Sequence, residues 1–160
     1  MNKNIFVKKI RAQIQESINI KGKLSDTCAK DIAYAAERII TALKRGRKLL
    51  LCGNGGSAAD AQHIAGEFVG RFRKQRRPLP VIALNTNTSI LTSIGNDFGY
   101  NLVFSKQVEA LGEKGDILIA ISTSGRSANI IKAVKTAKKI GIFTIALTGG
   151  KGSTLKSISD

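Results

Sequence analysis

Tryptophan is absent from this sequence, and phenylalanine and tyrosine together bring the aromatic share to only 5%. With 42% hydrophobic residues over 160 positions, a core of useful size has to be aliphatic. Cysteine is almost as scarce. Cys28 and Cys52 are the two, both inside apolar patterns, with no paired spacing that would suggest a disulfide framework or a thiolate metal cluster. Such usage fits a reducing cytoplasm. Long apolar runs are missing too, so nothing approaches a membrane span. The N-terminal stretch interrupts its apolar residues with Lys3, Lys8, Lys9 and Arg11, unlike a signal peptide. His63 is the single histidine and no G-x-S-x-G turn accompanies it, which argues against a Ser-His-Asp hydrolase. Neither G-x-G-x-x-G nor G-x-x-x-x-G-K-[ST] occurs, so neither nucleotide loop is present.

Acidic residues are few, 11 against 26 Lys and Arg, for a net charge of +15. Basic domains often bind nucleic acid. The densest cluster, Arg71-Phe-Arg-Lys-Gln-Arg-Arg77, lacks interleaved aromatics beyond Phe72, and no helix-turn-helix or RNA-binding signature accompanies it. The preferred reading is a solvated rim that attracts anionic metabolites; nucleic acid is the lesser alternative and is not an expected partner.

What is present centres on Leu49-Leu-Leu-Cys-Gly-Asn-Gly-Gly-Ser57. An apolar run breaks into glycines and Ser57 opens a stretch with helical spacing, which reads as strand, loop, helix. Glycines let backbone N-H groups approach an anion, and Ser57 is the expected N-cap. His63 and Glu67 are four apart on that helix and so share a face. Taken alone, both also read as ordinary helix residues.

Ahead of this stretch, Ile5, Ile10, Ile14 and Ile18 mark one amphipathic helix, Lys21-Gly-Lys-Leu-Ser25 reads as a break, and Ser25-Asp26 as the cap of a second helix that Gly46 ends. Behind it, Pro78 and Pro80 punctuate the chain before a strand at Val81 to Leu84. Asn85 to Ser89 supplies caps for a short helix through Ile94, Gly95 to Tyr100 reads as a loop, and Leu102 to Leu111 as another helix. Ile117 to Ile121 is the strongest strand. A helix marked by Ile130, Ile131, Val134 and Ala137 follows, and then a strand at Ile142 to Leu147 before Thr148-Gly-Gly150. Apolar strands alternating with helices predict a doubly wound parallel sheet in a three-layer α/β/α domain of flavodoxin-like kind. Residues 1–46 form a helical prefix to it and residues 47–160 the α/β domain.

Between strand and helix, Ser122, Thr123, Ser124 and Ser127 place four hydroxyls around Gly125. Neutral donors at a helix N-terminus suit a phosphate, although serine-rich turns are also common caps. Ligands in such sheets sit at the carboxyl ends of the strands, which brings this loop, Gly53 to Ser57 and Asn85 to Ser89 towards one site.

Cys52-Gly-Asn-Gly-Gly-Ser57, Asp60-Ala-Gln-His63 with Glu67, Arg71-Phe-Arg73, Gly95-Asn-Asp97 and Ile121-Ser-Thr-Ser-Gly-Arg-Ser127 together resemble the phosphoheptose isomerases, a branch of the sugar isomerase (SIS) fold. The resemblance implies aldose-ketose isomerisation of sedoheptulose 7-phosphate to D-glycero-D-manno-heptose 7-phosphate, feeding lipopolysaccharide, capsule or related glycans. It implies a cytoplasmic homotetramer that binds zinc. Ser122, Thr123, Ser124 and Ser127 would hold the phosphate. Asn54, Gly55, Gly56, Asn96 and Asp97 would line the sugar chain, Glu67 would be the base, and His63 with Glu67 would ligate the metal. Members of the family continue past the position of Asp160 with a strand and a long helix carrying a glutamine and a histidine of the metal site. The sequence therefore reads as truncated at the start of that strand, in preference to a short version with an incomplete metal site. Related SIS proteins that sense sugar phosphates or associate with the replication initiator supply the alternative, a non-enzymatic binding module.

Overall fold

In the computed structural model, which describes residues 3–149 and 154–160, the apolar runs become β1 (Leu49–Cys52), β2 (Val81–Ala83), β3 (Ile117–Ser122) and β4 (Phe143–Thr148). They form one parallel sheet in the order β2-β1-β3-β4. Every residue of β1 and β3 is buried, because both faces of the sheet are covered. Alternate residues point to opposite sides. Leu49, Leu51, Ile117 and Ile119 pack with Ala61 of α2 (Gly56–Val69) and with Ala42 and Leu43 of α1 (Lys3–Lys44). Leu50, Cys52, Leu118 and Ala120 pack with Val108 of α4 (Ser105–Leu111), Ile130 and Val134 of α5 (Ala128–Lys139) and Leu155 of α6 (Thr154–Ile158), while Leu91 and Ile94 of α3 (Thr88–Phe98) border that core. The expected three-layer α/β/α architecture is therefore what the sequence folds into. Its aliphatic core includes Cys52, whose thiol is pushed up to about 12 by burial and is no nucleophile.

From β1 the chain runs through α2 to β2 on one side, and from β3 through α5 to β4 on the other. The loops after β1 and β3 thus leave neighbouring strands in opposite directions, which opens a crevice at their carboxyl ends. The opposite ends are pinned by buried Asp116, which accepts from the backbone N-H groups of Lys48 at 3.0 Å and Glu113 at 2.9 Å and pairs with Lys48 Nζ at 2.7 Å.

Four local expectations are corrected. The first two helices are one, α1, running unbroken through Lys21 to Asp26. A single glycine costs a helix only about 1 kcal/mol, and no proline occurs before Pro78. The chain divides into two compact units, residues 1–38 and 39–160, so residues 39–44 of α1 belong with the sheet. Second, Gly95, Asn96 and Asp97 lie within α3 rather than in a loop. Asn87 caps that helix by accepting from the Ile90 N-H at 3.0 Å, and Gly99, with φ of +86°, ends it. Third, the stretch from Leu102 divides into a 3-10 turn, Tyr100–Leu102, followed by α4. Fourth, Ser157 and Ile158 are in α6 rather than in a strand. Asp160 hydrogen-bonds to the sheet, its N-H donating to the Thr144 carbonyl at 3.2 Å. In the turn expected at Thr148-Gly-Gly150, Gly150 lies outside the described residues.

Candidate functional site

The turn after β1 is built by its glycines. A Cβ on Gly53 would come within 2.3 Å of the Ser57 carbonyl oxygen, so the chain closes on itself there only because that atom is missing. Gly55, at φ of +55°, is the residue before the helix, and α2 starts at Gly56. Ser57 therefore sits in the first turn rather than capping it. Two successive glycines let the backbone turn earlier than the hydroxyl signal suggested.

About two and three turns into α2 stand His63 and Glu67. The His63 Nε2 and Glu67 Oε1 atoms are 3.8 Å apart, with the histidine 76% exposed and the glutamate 31%. Arg76 secures the end of this helix, donating to the carbonyls of Glu67 and Phe68 at 2.8 Å each. It thus caps the helix while remaining exposed on the basic rim.

At the end of β3, Ser122 is buried, and its hydroxyl lies 3.1 Å from that of Ser127 and accepts from the Gly125 N-H at 3.2 Å. Ser124 accepts from the Arg126 N-H at 3.3 Å. Gly125, at φ of +61°, makes the turn, and Ser127 leads into α5 without a side-chain cap bond. The loop is a set of hydroxyls at the start of a 12-residue helix, whose dipole favours an anion.

The two loops meet through Asn54 and Asn129. The Asn54 Nδ2 donates to Asn129 Oδ1 at 3.0 Å, and the Asn129 Nδ2 donates back to Asn54 Oδ1 at 2.9 Å. A third loop joins them from β2, where Asn85 donates to the Ala58 carbonyl at 3.1 Å. Beside these loops lies a cleft of about 410 Å³, lined by Ser57, Asp60, His63 and Thr123 among polar residues and by Ile64, Ile121 and Leu147 among apolar ones.

His63 and Thr123 of the expected residues line the cleft. Ser122, Ser124 and Ser127 share the loop of Thr123, Asn54, Gly55 and Gly56 precede α2, and Glu67 follows His63 by one turn. Asn96 and Asp97 are exposed near the end of α3, joined by a 2.9 Å bond from Asn96 Nδ2 to Asp97 Oδ1, and are not among the residues that line the cleft. Asn129 was not anticipated. The signal was available: an asparagine beside Ile130 and Ile131 at the start of an apolar helix is buried and needs a partner. Among the described residues no three His, Cys, Asp or Glu side chains come together as metal ligands.

A family model for the SIS domain matches residues 13–149. The phosphoheptose isomerase of Roseiflexus sp. (strain RS-1) is 55% identical over 150 residues, which cover 94% of this chain and 76% of that protein. That of Aquifex aeolicus (strain VF5) is 52% identical over 96% of this chain and 81% of its own length. Among solved structures, phosphoheptose isomerase GmhA from Neisseria gonorrhoeae superposes with a TM-score of 0.90 at 45% identity, over 97% of this chain and 81% of that one. A phosphoheptose isomerase from Francisella tularensis gives 0.92 at 40% identity, over 96% and 81%.

Proposed function

This chain belongs to the SIS-domain family, in its phosphoheptose isomerase branch, and from that premise we infer that it is an aldose-ketose isomerase acting on sedoheptulose 7-phosphate. The observation that carries the inference is the meeting, at the carboxyl ends of β1 and β3, of a hydroxyl-rich loop and a glycine loop joined through Asn54 and Asn129, beside a cleft lined by Thr123 and by His63 of α2, which pairs with Glu67.

The substrate's phosphate is assigned to Ser122, Thr123, Ser124 and Ser127 at the start of α5, where hydroxyls and the helix dipole favour a dianion. Its sugar chain is assigned to Asn54, Gly55 and Gly56, with Asn96 and Asp97. Glu67 is the base. With the sugar ring open, its carboxylate takes a proton from C1, and the electron pair moves into a C1–C2 double bond while the C2 carbonyl oxygen gains a proton. The enediol then collapses the other way: C2 receives a proton and the C1 hydroxyl loses one to become the aldehyde. Protons and electrons balance without an external oxidant or reductant. A carboxylate held one turn beyond the cleft wall is suited to such general acid-base work.

The zinc implied by the family would take His63 and Glu67 as two ligands. A closed zinc site needs four, or three and water. The described residues bring no third His, Cys, Asp or Glu to the pair, so they do not by themselves fit the ion, and no proton transfer is routed through it. The proposal extends to a cytoplasmic homotetramer that supplies heptose for lipopolysaccharide or capsule. Exposed Ile10, Ile14 and Ile18 along α1 support self-association. No helix among the described residues is long and apolar enough to cross a membrane.

The test is conversion of sedoheptulose 7-phosphate to an aldoheptose 7-phosphate by the purified protein. Absence of turnover, with and without added zinc, overturns the assignment.

A further inference from the structure

Asn54 is the only residue with a side chain in Gly53-Asn-Gly-Gly56, and that side chain is held in a reciprocal amide pair. Its amide gives one hydrogen bond to Asn129 and receives one back, at 3.0 and 2.9 Å. Asn129 is only 4% exposed, and its Oδ1 also accepts from the Ile130 N-H at 3.0 Å. The arrangement spans 75 residues of sequence and crosses the crevice between β1 and β3, where the chain otherwise diverges. Asn129 lies two residues past Ser127, in the first turn of the helix whose start carries the hydroxyl loop.

We infer that Asn129 is a positioning residue that ties the sugar loop to the phosphate loop, so that engagement of the phosphate sets the register of the sugar's reacting end. The inference rests on the isomerase assignment for its kinetic meaning but not for its geometry. Asn54 and Asn129 each donate one hydrogen bond to the other and accept one from it. The sugar loop therefore depends on α5 for its placement, while Gly53 and Gly55 set only its local turn. A buried amide that loses its partner leaves unpaired polar groups, so neither half can be removed silently.

The experiment is a double-mutant cycle in the full chain with Asn54→Ala, Asn129→Ala and the double variant, reading kcat, KM and thermal unfolding together. Each single variant is expected to lose about 10-fold or more in kcat with KM changed far less, and the double variant to be no worse than either single one, as for groups acting as a unit. Asn129→Asp, which keeps an acceptor for Asn54 Nδ2, should recover part of the loss. Additive effects, or lowered thermal stability with kcat within about twofold of wild type, overturn the inference in favour of a purely structural pair. A second readout is independent of turnover. Inorganic phosphate should slow amide hydrogen exchange in residues 122–127 and also in 53–57, the latter being lost in Asn129→Ala. If wild type turns over no substrate but this protection is seen, the isomerase assignment fails and the coupling stands. Protection confined to 122–127, or no protection at all, overturns the coupling.

Discussion

Replacing Gly53 by alanine tests how tightly the sugar loop is built. The new Cβ would fall 2.3 Å from the Ser57 carbonyl oxygen, 2.5 Å from its carbon and 2.9 Å from its Cβ. Two of these are backbone atoms, which have no rotamer to move into. Reaching a tolerable 3.0 Å requires a displacement of about 0.7 Å in the loop or in the first turn of α2. Overpacking of this kind costs about 1–3 kcal/mol, which for a chain of this size lowers the unfolding midpoint by about 2–12 °C. The same displacement moves Asn54, Gly55 and Gly56 relative to Ser122–Ser127. Since a misplacement near 1 Å can cost about 100-fold in rate, kcat/KM for sedoheptulose 7-phosphate should fall by about 10- to 100-fold. Calorimetry and steady-state kinetics on the same preparation read both effects. A Gly53→Ala protein with midpoint and kcat/KM indistinguishable from wild type would refute the claim that the turn closes only around a missing Cβ.

Gly22 provides the contrast, since a Cβ there meets nothing within 4 Å and lies mid-helix in α1; Gly22→Ala should stabilise by about 0.5–1 kcal/mol in chemical denaturation, and a loss of stability would contradict the unbroken helix. Glu67→Gln should lower kcat by about 10²- to 10⁴-fold with KM little changed; undiminished kcat removes the glutamate as base. Burial alone would raise the Asp160 carboxyl, but bonds from Lys138 Nζ at 2.7 Å, the Thr144 N-H at 3.0 Å and the Thr144 hydroxyl at 2.8 Å outweigh it and hold the group below its ordinary value. Because the folded state has the lower pKa, the stabilisation is complete above the unfolded value of about 3.9 and disappears as pH falls through the folded one. Asp160→Asn should therefore destabilise by about 1 kcal/mol at pH 7 and matter progressively less as pH falls through the folded value; an effect that does not shrink in acid would contradict the ionic origin.

The strands at Leu49–Cys52 and Ile117–Ser122 were legible because a run of consecutive apolar residues bounded by glycine and charge has few places to go except the middle of a covered sheet. Continuous helices were harder where local signals conflicted with periodicity. Lys21-Gly-Lys-Leu-Ser25 looks like a stop, yet one glycine without proline is a small penalty against a helix that continues on both sides. Gly95-Asn-Asp97 looks like a loop by composition, and only the cap at Asn87 and the left-handed Gly99 place it within α3. The segments of the site could be read from the chemistry of their residues. The bond from Asn54 to Asn129 could not, since no local pattern predicts pairing across 75 residues; the same holds for Arg76, which sits in a basic stretch with Arg73, Lys74 and Arg77 and whose partners are carbonyls brought back to it by the end of α2.

Isomerisation of sedoheptulose 7-phosphate in deuterium oxide, followed by proton nuclear magnetic resonance, tests the central claim most directly. Proton transfer through an enediol at Glu67 predicts an aldoheptose 7-phosphate whose C2 hydrogen is partly exchanged for solvent deuterium, the remainder being carried over from C1 by the same carboxyl. Failure to form the aldose, or undiminished formation of it by the Glu67→Gln protein, would contradict it.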